Sequence, residues 1–92
     1  MDEKQLKITI TGRVQMVGYR WYAKQHADML GIKGYVRNAS RGEVEIIARA
    51  GHRELDTYID YLKKGPSRSR VERVKKEECI KTDEYSDFSI KM

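Results

Sequence analysis

Hydrophobic and polar residues recur along this chain with two different periods, and each period predicts one kind of element. Leu6, Ile8 and Ile10 alternate with polar residues, which is typical of a strand with one buried face. Over residues 20–30 the apolar side chains instead follow helical spacing, and Gly31 is suited to end that helix in a left-handed conformation. We therefore predict a first strand followed directly by a first helix.

The middle of the chain repeats this order. Residues 33–39 predict a second strand, residues 40–42 a turn, and residues 44–50 a third strand. A second amphipathic helix is predicted across residues 55–62, and the pair Gly65-Pro66 ends it.

Two further strands complete the pattern. The segment around Val71 and Val74 alternates poorly, which indicates a bulge or an exposed edge strand. Phe88, Ile90 and Met92 alternate with polar residues and predict a last strand. The order β-α-β-β-α-β, with an extra C-terminal strand, predicts an α+β fold. We expect a ferredoxin-like two-layer sandwich, with a mostly antiparallel sheet and both helices on one face.

Length and composition narrow the class of protein. The 92 residues predict a single domain, residues 1–92, with neither a signal peptide nor a membrane span. Cys79 is the only cysteine, so an internal disulfide is excluded and a reducing cytoplasm is the expected location. Nothing in the sequence requires more than a monomer.

The net charge of +5 permits binding to nucleic acids, anionic membranes or small anions, without choosing among them. Much of the excess lies in residues 63–76. We interpret this run as a solvated helix end and an edge strand, where basic residues discourage aggregation between sheets. We expect neither a nucleic-acid partner nor a membrane partner.

Two short motifs carry the candidate chemistry. Residues 12–20 (GRVQMVGYR) join the first strand to the first helix and end in a cation. Such a junction can present several backbone N–H groups to one anion, an arrangement that suits phosphate. Residues 34–38 (GYVRN) form the second motif.

These motifs resemble those of the acylphosphatase family, GRVQGVGFR and GWVRN, and the likeness continues through residues 40–44 and 64–66. The resemblance implies hydrolysis of a small-molecule acyl phosphate to a carboxylate and inorganic phosphate, with water attacking phosphorus and without a metal or other cofactor. It also implies that Arg20 binds the phosphoryl group and that Asn38 orients the water. The phosphoryl oxygens would be held by the backbone amides of Gln15, Met16, Val17, Gly18 and Tyr19.

The chemistry of these side chains agrees with the implied roles. A cation in the first turn of a helix is disfavoured by roughly 0.3–1 kcal/mol unless an anion is bound, and the Arg20 guanidinium can donate two parallel hydrogen bonds to phosphate. Asn38 can position water but is no useful base. The alternatives are a solvated Arg20, or one paired with a carboxylate, and an Asn38 that merely favours a turn.

Other reactive residues are not needed for this reaction. A leaving carboxylate has a conjugate acid with a pKa of about 4, so no general acid is required. We therefore expect no chemical role for His26 or His52, and with Cys79 they show no metal-ligand spacing.

Met16 stands where the family motif has glycine. A positive φ there would cost an L-residue roughly 1–2 kcal/mol; alternatively, the side chain covers the mouth of the site or points into solvent. Our hypothesis is that Met16 slows turnover without abolishing it. Tyr19 and Tyr35 also replace aromatic residues of the motifs, Phe and Trp, and are expected to remain packing residues.

Two other functions fit parts of the sequence. The first is a domain of the same family that binds phosphate, carbamoyl phosphate or a protein with weak or no turnover, because of Met16. The second is an RNA-recognition domain, since residues 33–35 resemble the start of an RNP1 motif. Arg37, Asn38 and Ser40 stand where that motif needs further aromatic residues, which argues against RNA binding.

Overall fold

The described residues form five strands and two α-helices in the predicted order, β-α-β-β-α-β with an extra C-terminal strand. They are seen in a computed structural model that describes residues 3–80 and 84–92. The elements are β1 (Glu3–Arg13), α1 (Tyr19–Leu30), β2 (Lys33–Asn38), a 3₁₀ turn (Ser40–Gly42), β3 (Val44–Gly51), α2 (His52–Lys64), β4 (Arg70–Glu78) and β5 (Phe88–Lys91).

The ends of several elements differ slightly from the prediction, because hydrogen bonds set them rather than the apolar pattern. The second strand ends at Asn38 instead of Ala39, since the Ala39 N–H donates to the carbonyl oxygen of Glu43 at 2.8 Å across the 3₁₀ turn. The second helix begins at His52, ahead of its first buried residue, Leu55.

The strands form one sheet in the order β4-β1-β3-β2-β5. Three of the four pairings are antiparallel, and only β5 runs parallel to its neighbour β2. This is the ferredoxin-like arrangement that the sequence predicts. It places the start of α1 and the end of β2 near each other, and β5 extends the sheet beside β2.

Both helices cover the same face of the sheet. Alternate residues of the strands and one stripe of each helix form a single buried cluster, which includes Ile8, Ile10, Ile46, Ala23, Ala27, Tyr58 and Leu62. No helix in the described ranges is long and apolar enough to cross a membrane.

Two buried tyrosines join the helices by hydrogen bonds. The Tyr58 hydroxyl on α2 donates to the carbonyl oxygen of Ala23 on α1 at 2.9 Å, and the Tyr19 hydroxyl on α1 donates to that of Leu62 on α2 at 2.7 Å. Burial raises the pKa of both phenols well above the usual value, so both remain donors at any physiological pH. The helix that begins at the end of the first motif is thereby held against the rest of the core.

The fourth strand is an edge strand, and both explanations for its poor alternation are confirmed. The β1–β4 register shifts between Thr11 and Gly12. Gly12 has a φ of 127°, and a Cβ there would collide with the backbone carbonyl of Arg70. The first motif therefore begins with a glycine because β4 lies close to β1 at this bulge.

Gly34, which begins the second motif, lies very close to the backbone of β3, and substitution there tests whether this close approach requires glycine. A Cβ at this position would overlap the carbonyl group of Ile47 on β3, and the φ is 140°. We expect Gly34→Ala to lower the free energy of unfolding by roughly 3 kcal/mol or more, measured by urea denaturation.

Gly42→Ala is the matched control, because Gly42 also has a positive φ, 76°, but no atom lies within 4 Å of the added Cβ. It should cost only about 1–2 kcal/mol. Equal losses in the two variants would show that the close approach of β3 does not determine the need for glycine at position 34.

Candidate active site

A cleft at the start of α1 brings together residues of both motifs. Arg20 comes from the first turn of the helix and Asn38 from the last position of β2. The cleft has a volume of about 270 Å³ and is lined by Val14, Met16, Gly18, Tyr19, Arg20, Trp21, Asn38, Ile90 and Met92. The two side chains that the sequence singled out therefore face the same space.

The backbone N–H groups of residues 15–19 have no hydrogen-bond acceptor in the part of the chain that the structure describes. These groups lead into α1, whose cap residue Gly18 has a φ of 81° and whose first turn contains no acidic side chain. Unpaired donors and the positive end of the helix dipole thus coincide. An anion is the partner that satisfies both.

Arg20 adds a full positive charge to this helix end. Its side chain is half-buried, and it forms no ion pair or hydrogen bond with any residue of the described ranges. The alternative of a structural carboxylate partner for Arg20 thus has no support among those residues. The guanidinium lines the cleft with its donors uncommitted.

Asn38 lies at the point where β2 leaves the ladder, opposite Val44 of β3. Its side chain is half-buried and lines the cleft. Within residues 3–80 and 84–92 its amide makes no hydrogen bond to protein, so its donor and acceptor both remain free for a ligand or a water molecule.

Gln15 has a side-chain role that sequence reasoning missed. Its Nε2 donates to the carbonyl oxygens of Ala39, at 3.0 Å, and Glu43, at 2.9 Å. The loop of the first motif is thereby tied to the segment that follows Asn38. The sequence shows only that the motif contains an amide side chain at position 15. It does not indicate which carbonyl groups that side chain would bind.

Not every predicted loop residue faces the cleft. Gln15 and Val17 instead border a neighbouring surface pocket of about 570 Å³, together with Arg13, Met16 and Arg68. Both residues are expected to bind phosphate through their backbone amides. The position of their side chains does not test that expectation, which stays a prediction.

Met16 has the positive φ that the motif's glycine would allow. The angle is 62°, and the side chain is 98% exposed. The positive φ of the first explanation is therefore present, and the side chain borders the cleft without being packed against other residues. The left-handed conformation costs a residue with a Cβ roughly 1–2 kcal/mol, and an exposed side chain gains little burial to offset that cost.

The histidines and the cysteine lie outside the cleft. His26 packs between the helices, with its ring 4.0 Å from that of Tyr61, and desolvation lowers its pKa. His52 pairs with Asp56 at 3.2 Å, and Cys79 is near Gln5. Among the described residues no group of three or more His, Cys, Asp or Glu side chains is placed to hold a metal ion.

Comparison with known proteins gives a consistent result. The family model for acylphosphatase matches residues 6–90. An acylphosphatase of Koribacter versatilis is 43% identical over 88% of this chain and 74% of its own length. The structure of an acylphosphatase from Coxiella burnetii superposes with a TM-score of 0.92 at 31% identity, covering 98% of this chain and 94% of that one. The acylphosphatase of Bacillus subtilis gives a TM-score of 0.91 at 32% identity, with 96% and 98% covered.

The strain at Met16 can be measured directly. We expect Met16→Gly to raise the free energy of unfolding by about 1 kcal/mol, because glycine adopts the positive φ without a steric cost. Met16→Ala keeps the Cβ and should remain within about 0.5 kcal/mol of the parent. Urea denaturation of the three proteins distinguishes conformational strain from an effect of the long side chain.

The same variants test the effect on turnover. If strain in the loop slows the reaction, kcat/KM for benzoyl phosphate rises in Met16→Gly and not in Met16→Ala. Because both variants lack the long side chain, a value in Met16→Gly no higher than that in Met16→Ala would refute the hypothesis that strain at Met16 slows turnover.

Proposed function

The chain belongs to the acylphosphatase family, and we propose that its acylphosphatase activity resides in the cleft between the β1–α1 loop and the ends of β2 and β5. One observation carries this proposal. Five consecutive backbone N–H groups without an acceptor among the described residues adjoin the uncommitted side chains of Arg20 and Asn38. No observation favours ligand binding without turnover.

Substrate binding depends on the charge of the phosphoryl group. In this proposal the amides of residues 15–19 donate to its oxygens, and the Arg20 guanidinium donates two further hydrogen bonds. During transfer the phosphoryl group passes through a loose transition state, in which negative charge is spread over its oxygens. Donors that are already fixed in position stabilise this charge without rearranging. In the free protein, Arg20 and the positive end of the helix dipole repel each other. When the phosphoryl group is bound, both attract its negative charge.

Asn38 orients the attacking water. Its amide oxygen accepts a hydrogen bond from the water, whose oxygen attacks phosphorus as the bond from phosphorus to the acyl oxygen breaks. The carboxylate leaves with the electron pair of that bond, and the water's proton passes to a phosphate oxygen or to solvent. Because the leaving group is a weak base, it needs no proton from the protein.

We also propose a domain organisation, a location and an oligomeric state for the enzyme. We propose that residues 1–92 act as one domain, as a cytoplasmic monomer without a metal or other cofactor and without a nucleic-acid or membrane partner. The single cysteine, Cys79, supports the proposal of a reducing compartment.

Hydrolysis of benzoyl phosphate by the purified protein, with and without a chelator, tests the assignment. Arg20→Ala should lower kcat/KM by about a thousandfold or more, because binding and transition-state charge are lost together. Arg53→Ala is the matched control, since Arg53 is exposed on α2 and does not line the cleft. Activity that survives in Arg20→Ala, or that the chelator removes, would contradict the proposal.

Asn38→Ala separates water positioning from substrate binding. We expect kcat to fall by about a hundredfold, with a much smaller change in KM, because the variant misplaces water rather than substrate. A large increase in KM at normal kcat would mean that Asn38 binds the substrate instead.

The rate should be nearly independent of pH from about 5 to 8. The side chains assigned to the reaction are a guanidinium and an amide, and neither changes charge in that range. The pKa of His26 is lowered, but this side chain lies between the helices and outside the cleft. A bell-shaped profile of kcat/KM would reveal an acid–base pair that this mechanism lacks.

A further inference from the structure

Apolar side chains border the cleft beside its polar centre. We call Met16, Trp21, Ile90 and Met92 the apolar rim. Trp21 is 59% exposed, Met16 and Met92 are almost fully exposed, and Ile90 is half-buried. The rim is therefore a surface that remains in contact with water in the free protein.

Exposed apolar side chains are concentrated at this place. The large hydrophobic side chains exposed in the described ranges are Met16, Trp21, Met29, Ile80 and Met92, and three of these five line the cleft. Single exposed hydrophobic residues need no explanation, but several grouped around one cavity mark a binding surface. Here the cavity already contains the donors proposed to bind phosphate.

The fold places the rim on the same elements as the polar residues. Trp21 follows Arg20 in the first turn of α1. In the parallel pairing of β5 with β2, Ile90 lies opposite Val36 and Lys91 opposite Arg37. Met92 therefore comes next to Asn38, the residue that follows Arg37. A phosphoryl group bound by the amides of residues 15–19 and by Arg20 leaves the rest of its molecule within reach of the rim, because both line the same cleft.

From this arrangement we infer that the rim binds the acyl group of the substrate, and that the enzyme prefers acyl phosphates whose acyl group is apolar, aromatic ones above all. The inference rests on the proposed function. Indole and thioether groups suit such a ligand, because aromatic rings stack on each other and sulfur makes favourable contacts with ring edges.

Charge near the rim supports an apolar ligand over an anionic one. Arg20, which is assigned to the phosphoryl group, is the only charged side chain among the described residues that line the cleft. The basic residues Arg13 and Arg68 border the neighbouring pocket instead. Lys91, which lies between two rim residues in the chain, has its Nζ 4.1 Å from the centre of the Tyr35 ring. A second carboxylate on the acyl group would therefore lose hydration at the rim without gaining a partner.

A pair of phosphonates that cannot be hydrolysed tests the inference without turnover. Phenacylphosphonate and acetonylphosphonate differ only in a phenyl and a methyl group, and both replace the bridging oxygen by a methylene. Trp21 is the only tryptophan, so its fluorescence reports occupation of the rim. We expect phenacylphosphonate to bind about tenfold more tightly and to change this fluorescence, whereas acetonylphosphonate leaves it nearly unchanged.

Variants then assign the preference to the rim. Trp21→Ala should reduce the roughly tenfold difference in Kd, measured by calorimetry, to about twofold, and Trp21→Phe should restore most of it. Met92→Ala should give a smaller reduction. Met29→Ala is the matched control, because Met29 is exposed on the same helix but does not line the cleft, and it should keep the full difference.

The outcomes separate this inference from the proposed function. Equal Kd values for the two phosphonates in the parent protein, or equal weakening of both by Trp21→Ala, would overturn the role of the rim even if benzoyl phosphate is hydrolysed. Preferential binding of phenacylphosphonate that depends on Trp21, without any hydrolysis of benzoyl phosphate, would support the rim and refute the enzyme mechanism. With hydrolysis intact, the ratio of kcat/KM for benzoyl and acetyl phosphate should fall in Trp21→Ala by about the same factor as the Kd ratio.

Discussion

The backbone N–H groups that lead into α1 have no acceptor among the described residues, and the arrangement of the site follows from this deficit. A helix start is ordinarily capped by a polar side chain or an acidic first turn. This one has Gly18 as its cap residue and Arg20 in its first turn, both of which leave the positive potential uncompensated. In the proposed site the same groups donate to a bound anion, which offsets this instability.

The remaining structure holds that unfavourable helix start in place. Tyr19 anchors the first turn of α1 to the end of α2 through its hydroxyl, and Tyr58 makes the reciprocal contact from α2 to α1. Both side chains are buried in the core cluster. Close backbone contacts at Gly12 and Gly34 fix β1 and β2, the strands that lead into the loop and to Asn38. Two glycines of the motifs are therefore structural, although they stand among residues assigned to catalysis.

Most of the fold could be predicted from the sequence, because the period of the apolar residues reports which face of each element is buried. The site residues Arg20 and Asn38 were predicted from motifs, and the fold brings them into one cleft. The sequence left the angle at Met16 open, because the glycine of the family motif can serve a positive φ or simply leave room for a ligand. The position of Met92 beside the cleft was also hidden, because it depends on a parallel pairing between β2 and β5, which lie far apart in the chain.

The two hydrogen bonds from the Gln15 amide bear on whether the site must rearrange when the substrate binds. They attach the loop of residues 15–19 to the segment after Asn38, so the part of the proposed site assigned to phosphate and the part assigned to water are joined directly. In the proposed mechanism such a site is preorganised, because its donors are in position before the substrate arrives. Substrate entry and product release then resemble diffusion to and from an open surface, rather than a conformational cycle.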